Sequence, residues 1–540
     1  MAKLRDQVHE AEYVVVGAGS AGSPVARRLA DSGASVVLVE AGGAGKSMMF
    51  SRPGMITMIH ADPRMKARFD WGYYHAPQPN LLNRKIPATR GKLVGGSSAV
   101  NGMIFVRGHR ANFDAWEAEG NKGWGYADVL PTYKLLEDYA EGADEFRGTG
   151  GPVKVIENHH VTDASQTFLE AGKAALGVPE SPDYNGAEQF GLHTIQENTR
   201  NSIRYSSRQA YLDGTVPHLT LLTGATVSRV VVTGGRATGV EVIEGNSRRV
   251  ISARKEVILS AGAYGSPQIL QLSGIGPAEH LRSLGIEVVA DLPVGDNLHD
   301  HLFVPTSWEV DNSPNKSRAT YFFGGIVKEQ LRRGTTFMAH SVFEVGAFLR
   351  TSQCQGEATD MQLLVLPWAY PAPNQDAPVR LNPDQRPTLS MFSTLIQPKS
   401  RGTVRLASAD PLAAPIIDPG FLSEPDDLRV LVEGIEMIRE IMTHPATGGH
   451  VKGEYEMGPR YTGKALEEEI LNRATTVYHP VGSCRMGVDE RAVVDPELKV
   501  RGIDGLRVAD ASIMPTIISG NTNAPSFMIG EKCAELILTR

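Results

Sequence analysis

Cysteine is scarce in this 540-residue chain: only Cys354, Cys484 and Cys533 occur, none in a CxxC pair. Scattered thiols in that number make neither a disulfide framework nor a zinc site, and they suit a reducing compartment. Uninterrupted apolar runs of bilayer length are missing, so no membrane span is expected. The stretch from Met1 to Glu12 is polar and mixed in charge, without the apolar segment of a secretory signal. The expected location is therefore cytoplasmic. Basic runs are absent and the net charge is −7, which gives no support to nucleic-acid binding. Aromatic residues make up only 7% of the chain, and no cage for a quaternary ammonium is evident in their order. There are no internal repeats and no low-complexity segment.

What is present is an ordinary globular composition, 41% apolar and 21% charged. At this length the chain exceeds one typical core, so two large domains or one domain with a large insertion are expected. The most informative stretch runs from Tyr13 to Glu40. Tyr13-Val14-Val15-Val16 is an apolar β-rich run, Gly17-Ala18-Gly19-Ser20-Ala21-Gly22 a glycine turn, and a helical pattern follows to Gly33. Ser35-Val36-Val37-Leu38-Val39 is a second apolar run, ending in Glu40. Strand, turn, helix, strand and terminal acid form the dinucleotide-binding βαβ unit in its proper context. Gly17 permits the tight turn, Gly19 lets backbone approach a pyrophosphate, and the helix N-terminus offers free N–H groups to it. Glu40 falls where a ribose hydroxyl needs an acceptor, and its charge would repel a 2′-phosphate. The motif alone leaves NAD and FAD both open.

Further along, Gly91 to Gly102 is rich in glycine and serine and reads as a loop that brings N–H groups close to a flat or anionic ligand, or as a plain tight loop. Strands are expected at Ala225–Thr233, Ala237–Ile243 and Arg248–Ala253, joined by the Gly234-Gly235 and Gly245-Asn246 turns. Glu256 to Gly262 reads as a separate buried strand returning to the parallel sheet. From His301 to about Leu471, proline-rich loops alternate with strand-like runs, which suggests an antiparallel sheet with helices on one side, including Asp426 to Met442. His159-His160 and His299-Asp300-His301 lack further ligands at metal spacing and read as ordinary loop histidines, so no metal is expected.

Four pieces together resemble the glucose–methanol–choline (GMC) family of flavin-dependent oxidoreductases. They are the βαβ unit; Gly91 to Asn101 continued by Phe105, Gly108 and Asp114; Gly262 to Leu270 running on to Gly276; and Tyr478-His479-Pro480-Val481-Gly482 followed by Asp510-Ala511-Ser512 and Asn521 to Pro525. The resemblance spans essentially the whole chain. It implies an α/β fold, α+β overall: a Rossmann-like FAD-binding domain with an inserted β-meander, plus an antiparallel-sheet substrate cap domain. The implied boundaries are 10–150, 205–300 and 490–540 for the FAD-binding domain, and 151–204 and 301–489 for the cap. It further implies oxidation of an alcohol, passing hydride to flavin N5 and electrons on to oxygen or another acceptor. A dehydrogenase is slightly favoured over a peroxide-producing oxidase of the aryl-alcohol or hydroxymethylfurfural type. Non-redox chemistry like that of hydroxynitrile lyases is the alternative on the same scaffold.

Carried over residue by residue, the resemblance gives Gly17, Gly19, Ser20 and Ala21 to the pyrophosphate, Glu40 to the ribose and Val227 to the adenine. Gly91, Val94, Gly96, Asn101, Gly102, Met103 and Ile104 run beneath the ribityl chain and flavin. Ala261, Asp510, Ala511, Thr522 and Asn523 complete the cofactor set. Members with a flavin tethered to histidine carry that residue beside the serine pair, where this chain has Ala99-Val100, so FAD is expected to be non-covalent. The catalytic pair falls on His479 and Asn521, with Asn523 one alignment slip away. Histidine suits a base whose pKa must lie near the working pH, and Pro480 restricts its backbone to extended conformations. Glu344 and Tyr478 are candidate substrate contacts, Glu344 having the alternative reading of a structural carboxylate.

Overall fold

The computed structural model describes residues 9–61, 63–314, 319–334, 336–370 and 386–539. Two large sheets organise it. In the first, Glu10–Val16 lies parallel to Val36–Glu40, with Val14 opposite Val37, and Val36–Glu40 in turn pairs in parallel with Leu219–Thr223. The central strands are buried on both faces and read as continuous valine-rich runs, as parallel strands do. The meander Thr226–Thr233, Arg236–Glu244 and Ser247–Leu259 is attached to the same sheet.

The last of these strands differs from expectation. Arg248–Ala253 and Glu256–Gly262 are not two strands parted by a break but one strand of 13 residues. Its first half pairs antiparallel with Arg236–Glu244, and its second half pairs parallel with Glu10–Val16 and Leu506–Val508. The charged Arg254-Lys255 step looks like a turn in sequence. Here it is an exposed crossover held by ion pairs to Glu10 (2.7 Å) and Glu12 (3.0 Å).

The second sheet is antiparallel, in the order Val451–Glu454, Leu302–Val310, Thr388–Leu395, Met361–Leu366, Val345–Leu349, Gly191–Thr194. Alternation along Met361–Leu366 assigns its two faces. Met361, Leu363 and Val365 join a core with Leu431, Ile435 and Ile438 of the helix Pro425–Thr443. Leu364 and Leu366 join Phe303 and Phe392 on the opposite face. The short strand Thr475–Thr476 pairs with Leu302–Phe303 and so brings the chain leading to His479 onto this sheet. No helix among the described residues is long and apolar enough to cross a membrane.

The closing helix Asn523–Leu538 packs on Gly22–Asp31. Arg28 donates to both oxygens of the buried Glu531 carboxylate (2.7 and 3.0 Å), and the Tyr211 hydroxyl donates to it as well (2.8 Å). Truncating Glu531 leaves a cation and a buried hydroxyl without their acceptor. Glu531→Ala should therefore lower stability by about 2–3 kcal/mol, read as a drop in the apparent melting temperature of the purified protein; an unchanged melting temperature contradicts this role.

Candidate active site

One cavity of about 470 Å³ runs from the turn after the first strand to the apolar face of the second sheet. At its first-sheet end lie Gly17, Gly19, Ser20, Ala21, Glu40, Val227 and Ala261. Gly17 has φ +98°, and a Cβ there would sit 2.4 Å from the Ser260 carbonyl oxygen, so the strand can turn this close only without a side chain. The Glu40 carboxylate accepts from the N–H groups of Ala18 (3.0 Å) and Gly42 (2.8 Å). Burial pushes its pKa up to about 7 against those two donors.

Three helices begin at the cavity wall: Gly22–Asp31, Gly262–Leu272 and Asn523–Leu538. Their first-turn neighbours Ala21, Ala261 and Thr522 line the cavity, and none supplies a side-chain cap. All three direct positive dipole ends at the space; at Gly262–Leu272 the Asp510 carboxylate already accepts from the Gly262 N–H (2.9 Å), whereas Gly22–Asp31 and Asn523–Leu538 start without a side-chain cap. The Ser260 hydroxyl also borders it, buried and without a partner among the described residues. Uncapped helix ends, an unpartnered hydroxyl and a carboxylate at a strand end are a donor and acceptor set that fits a dinucleotide.

Along the middle, Gly91, Gly96, Asn101, Gly102, Met103, Ile104, Asp510, Ala511 and Asn523 line the cavity. Gly96 has φ +52°, and a Cβ there would stand 2.8 Å from the Gly19 Cα, so the two glycine loops pack backbone to backbone. Met103 also has positive φ (66°), uncommon for a residue with a side chain. Asn101 Oδ1 accepts from the Arg204 guanidinium (2.7 Å), whose pKa burial brings down to about 9. Two expected residues are not in the wall. Val94 packs its side chain into the first core and donates its N–H to the Gly43 carbonyl (2.9 Å). Glu344, 1% exposed, is turned away: its carboxylate accepts from Thr162 N–H (2.8 Å), Thr162 Oγ1 (2.8 Å) and Ser165 Oγ (2.7 Å) at the start of the helix Asp163–Leu176. It is the structural carboxylate of the two readings.

At the second-sheet end, His479 and Asn521 face one another, with the amide nitrogen of Asn521 3.2 Å from His479 Nε2. Asn523 is not in that position: its Oδ1 accepts from Ser20 Oγ (2.7 Å). Tyr478 lines the cavity in a positive-φ conformation (67°), a kink that turns the chain immediately before His479. Asp300 accepts from the His479 backbone N–H (2.7 Å) and from Thr476 Oγ1 (2.5 Å), and burial raises its pKa to about 6. His301 Nδ1 is 3.0 Å from His479 Nδ1. Burial, the neighbouring His301 and the cationic Arg90 hold His479 well below the ordinary imidazole range, so the ring is neutral at pH 7.

In sequence, His299-Asp300-His301 reads as an ordinary loop where a metal is concerned, and Gly295-Asp296-Asn297-Leu298 with Asp300-His301 is a further match to the family pattern; neither reading assigns a role, and the contacts with His479 come from the fold. Sequence reasoning also missed the aromatic walls. Phe303, Phe343, Trp368, Tyr370 and Phe392 line this end, with ring centroids 4.2 Å apart for Phe303 and Phe392 and 4.7 Å for Tyr370 and Phe392. A low aromatic total hides that concentration. Glu40 and Asp510 are the only carboxylates among the described lining residues; Glu40 ends one strand of the first sheet and Asp510 lies just past another, Leu506–Val508.

Family models described as GMC oxidoreductase match residues 7–303 and 398–530. A protein named oxygen-dependent choline dehydrogenase from Sinorhizobium medicae (strain WSM419) is 40% identical over 546 residues, covering 98% of this chain and 96% of that protein. One of the same name from Brucella suis biovar 1 (strain 1330) is 37% identical over 543 residues, with the same coverage. Among solved structures, pyridoxine 4-oxidase from Mesorbium loti superposes with a TM-score of 0.86 at 29% identity, covering 98% of this chain and 99% of that one. A formate oxidase from Aspergillus oryzae RIB40 gives 0.89 at 26% identity, covering 98% of each chain.

The Gly96 contact yields a test. Gly96→Ala should introduce about 1–3 kcal/mol of overpacking at the junction of the glycine loops, weakening FAD retention roughly tenfold or more. Flavin absorbance per protein after gel filtration measures this, and an unaltered ratio contradicts it.

Proposed function

The chain belongs to the GMC oxidoreductases, a family of FAD enzymes that act on alcohols, and from that premise we propose that it oxidises a primary alcohol to the aldehyde with His479 as the base. The observation that carries the reading is the pair at the second-sheet end: a neutral imidazole nitrogen and an amide nitrogen 3.2 Å apart on one cavity wall.

FAD, when bound, would supply the two-electron acceptor for the hydride of the carbinol carbon. The residues proposed to hold it are Gly17, Gly19, Ser20, Ala21, Glu40, Val227, Gly91, Gly96, Asn101, Gly102, Met103, Ile104, Ala261, Asp510, Ala511, Thr522 and Asn523. His479 Nε2 accepts the hydroxyl proton as the C–H bond weakens, and the Asn521 N–H donates to the developing alkoxide. An amide cannot take the proton, so the roles do not exchange. The apolar ring cluster around Phe392 excludes water from the reacting oxygen and seats the body of the substrate. Ala99 and Val100 offer no nucleophile for a flavin tether at the serine pair, so FAD is proposed to be held without a covalent bond; denaturation should release all the yellow colour from the polypeptide.

The walls suit a primary alcohol carried on an apolar or aromatic body. A second reading, choline, rests on the names of the relatives and on the aromatic faces, which attract a quaternary ammonium. Those names, with the neighbouring oxidases, also favour oxygen as acceptor over the dehydrogenase expected from sequence. Anaerobic loss of flavin absorbance with benzyl alcohol or choline decides the substrate, and reoxidation on admitting air decides the acceptor. Turnover without bleaching would instead mean lyase chemistry.

Replacing the base tests the mechanism. His479→Ala should slow anaerobic flavin reduction by about 10²-fold or more. Because burial lowers the pKa of His479, its base form persists on the acid side of neutrality. The wild-type reduction rate should therefore be flat above pH 7 and fall only below about 6.5, the ordinary imidazole value. Flavin reduction unchanged in His479→Ala would refute the assignment.

A further inference from the structure

We infer that His301 is the positioning residue that sets which nitrogen of His479 faces the substrate. The inference rests on the reading of His479 as the base and adds a residue that does not itself line the cavity.

Both ring nitrogens of His301 are engaged. Its Nε2 lies 3.0 Å from the Ile396 carbonyl oxygen and its Nδ1 lies 3.0 Å from His479 Nδ1. A carbonyl only accepts, so Nε2 of His301 carries a hydrogen. Burial drives the His301 pKa down to about 3, so the ring is neutral and its Nδ1 is a bare lone pair. The hydrogen between the two rings then belongs to His479 Nδ1. A neutral His479 protonated at Nδ1 has its lone pair at Nε2, on the side of Asn521. Asn521 agrees with this direction: its Oδ1 lies 3.4 Å from the Gln362 amide nitrogen, which leaves its own N–H for His479. The two imidazoles meet edge on, with ring planes 88° apart.

Two consequences follow for the reaction. When Nε2 takes up the substrate proton, the Nδ1–H bond to His301 becomes charge-assisted and holds the imidazolium without a neighbouring carboxylate in direct contact with the ring. The proton cannot pass onward through His301, because its Nε2–H already abuts a peptide carbonyl. It leaves by the nitrogen that received it. Other groups bearing on this pair are Asp300, which holds the His479 backbone, the Ile518 backbone, which also hydrogen-bonds His301, His299, which burial keeps neutral, Arg90, whose charge disfavours the imidazolium, and Tyr478, whose phenol burial keeps neutral up to about 12.

Three variants test the inference on holoenzyme of equal FAD content. His301→Leu removes the acceptor, His301→Asn restores an oxygen near the Nδ1 position, and His301→Asp sets a carboxylate there. In ¹⁵N-histidine spectra, with the His479 signal identified by its loss in His479→Ala, the wild type should show the Nδ1–H tautomer and His301→Leu a shift toward Nε2–H. Anaerobic flavin reduction should fall about 10²-fold in His301→Leu and stay within about tenfold in His301→Asn, the range of general-base contributions. His301→Leu combined with His479→Ala should be no slower than His479→Ala alone. His301→Asp should move the acid limb of the reduction rate to higher pH, a shift that loss of packing does not produce, so the inference stays testable if His301→Leu fails to fold. An unchanged tautomer in His301→Leu, multiplicative losses in the double variant, or an unmoved acid limb in His301→Asp would overturn it. If His479→Ala reduces flavin normally, the base reading itself falls; if it is slow while the His301 variants are not, only this inference falls.

Discussion

The pairing of one strand, Leu302–Val310, is the constraint on which the site depends. On one side its start pairs with Leu395, which brings Ile396 to His301; on the other it pairs with Thr475–Thr476, which brings His479 to both Asp300 and His301. Residues 178 positions apart in sequence thus meet at 3.0 Å through ladder hydrogen bonds and the Asp300 carboxylate, which ties Thr476 and the His479 N–H to the same strand start. A slip of one residue in this register would turn every side chain to the other face and take His301 away from its partners. The geometry of the proposed base is a property of a buried sheet, not of a flexible loop.

The other half of the cavity is made by close backbone approach. Helices that start at the cavity wall direct dipole ends at one space, two of them without a side-chain cap and the third with its Gly262 N–H held by Asp510, and the glycine loops meet there because neither carries a Cβ. That arrangement favours negative charge and thin, flat groups. The second-sheet end favours the opposite, an apolar body with one polar corner at His479 and Asn521. One continuous cavity therefore joins an anion-binding end to an apolar end, which is the polarity that a dinucleotide redox group and an alcohol substrate together require.

How much of this was legible in the sequence follows from which features are local. The unit from Tyr13 to Glu40 was readable because periodicity, turn glycines and a terminal acid all lie within a few turns of chain. His479 and Asn521 were readable through their motif, and the fold separated Asn521 from Asn523 by giving Asn523 to Ser20. Asp300-His301 was readable as a motif match, but the contact of His301 with His479 was not, since it comes from strands that pair across the chain. The aromatic walls were hidden for the same reason: Phe303, Trp368 and Phe392 belong to separate segments of the second sheet and its loops. Val94 and Glu344 sat beside informative motifs, yet packing turned both away from the cavity. The long strand Ser247–Leu259 was divided in the sequence reading because an exposed Arg254-Lys255 step resembles a turn when its acidic partners Glu10 and Glu12 are distant in sequence.

The central claim is that a neutral nitrogen of His479 and the amide of Asn521 share the oxygen of the reacting alcohol. A crystal structure of the holoenzyme with a fluorinated alcohol too electron-poor to give up hydride tests it directly. The account predicts the alcohol oxygen within about 3 Å of both His479 Nε2 and the Asn521 amide nitrogen, with the carbinol carbon facing the isoalloxazine ring. An oxygen bound elsewhere in the cavity, or a flavin ring remote from His479, would contradict it.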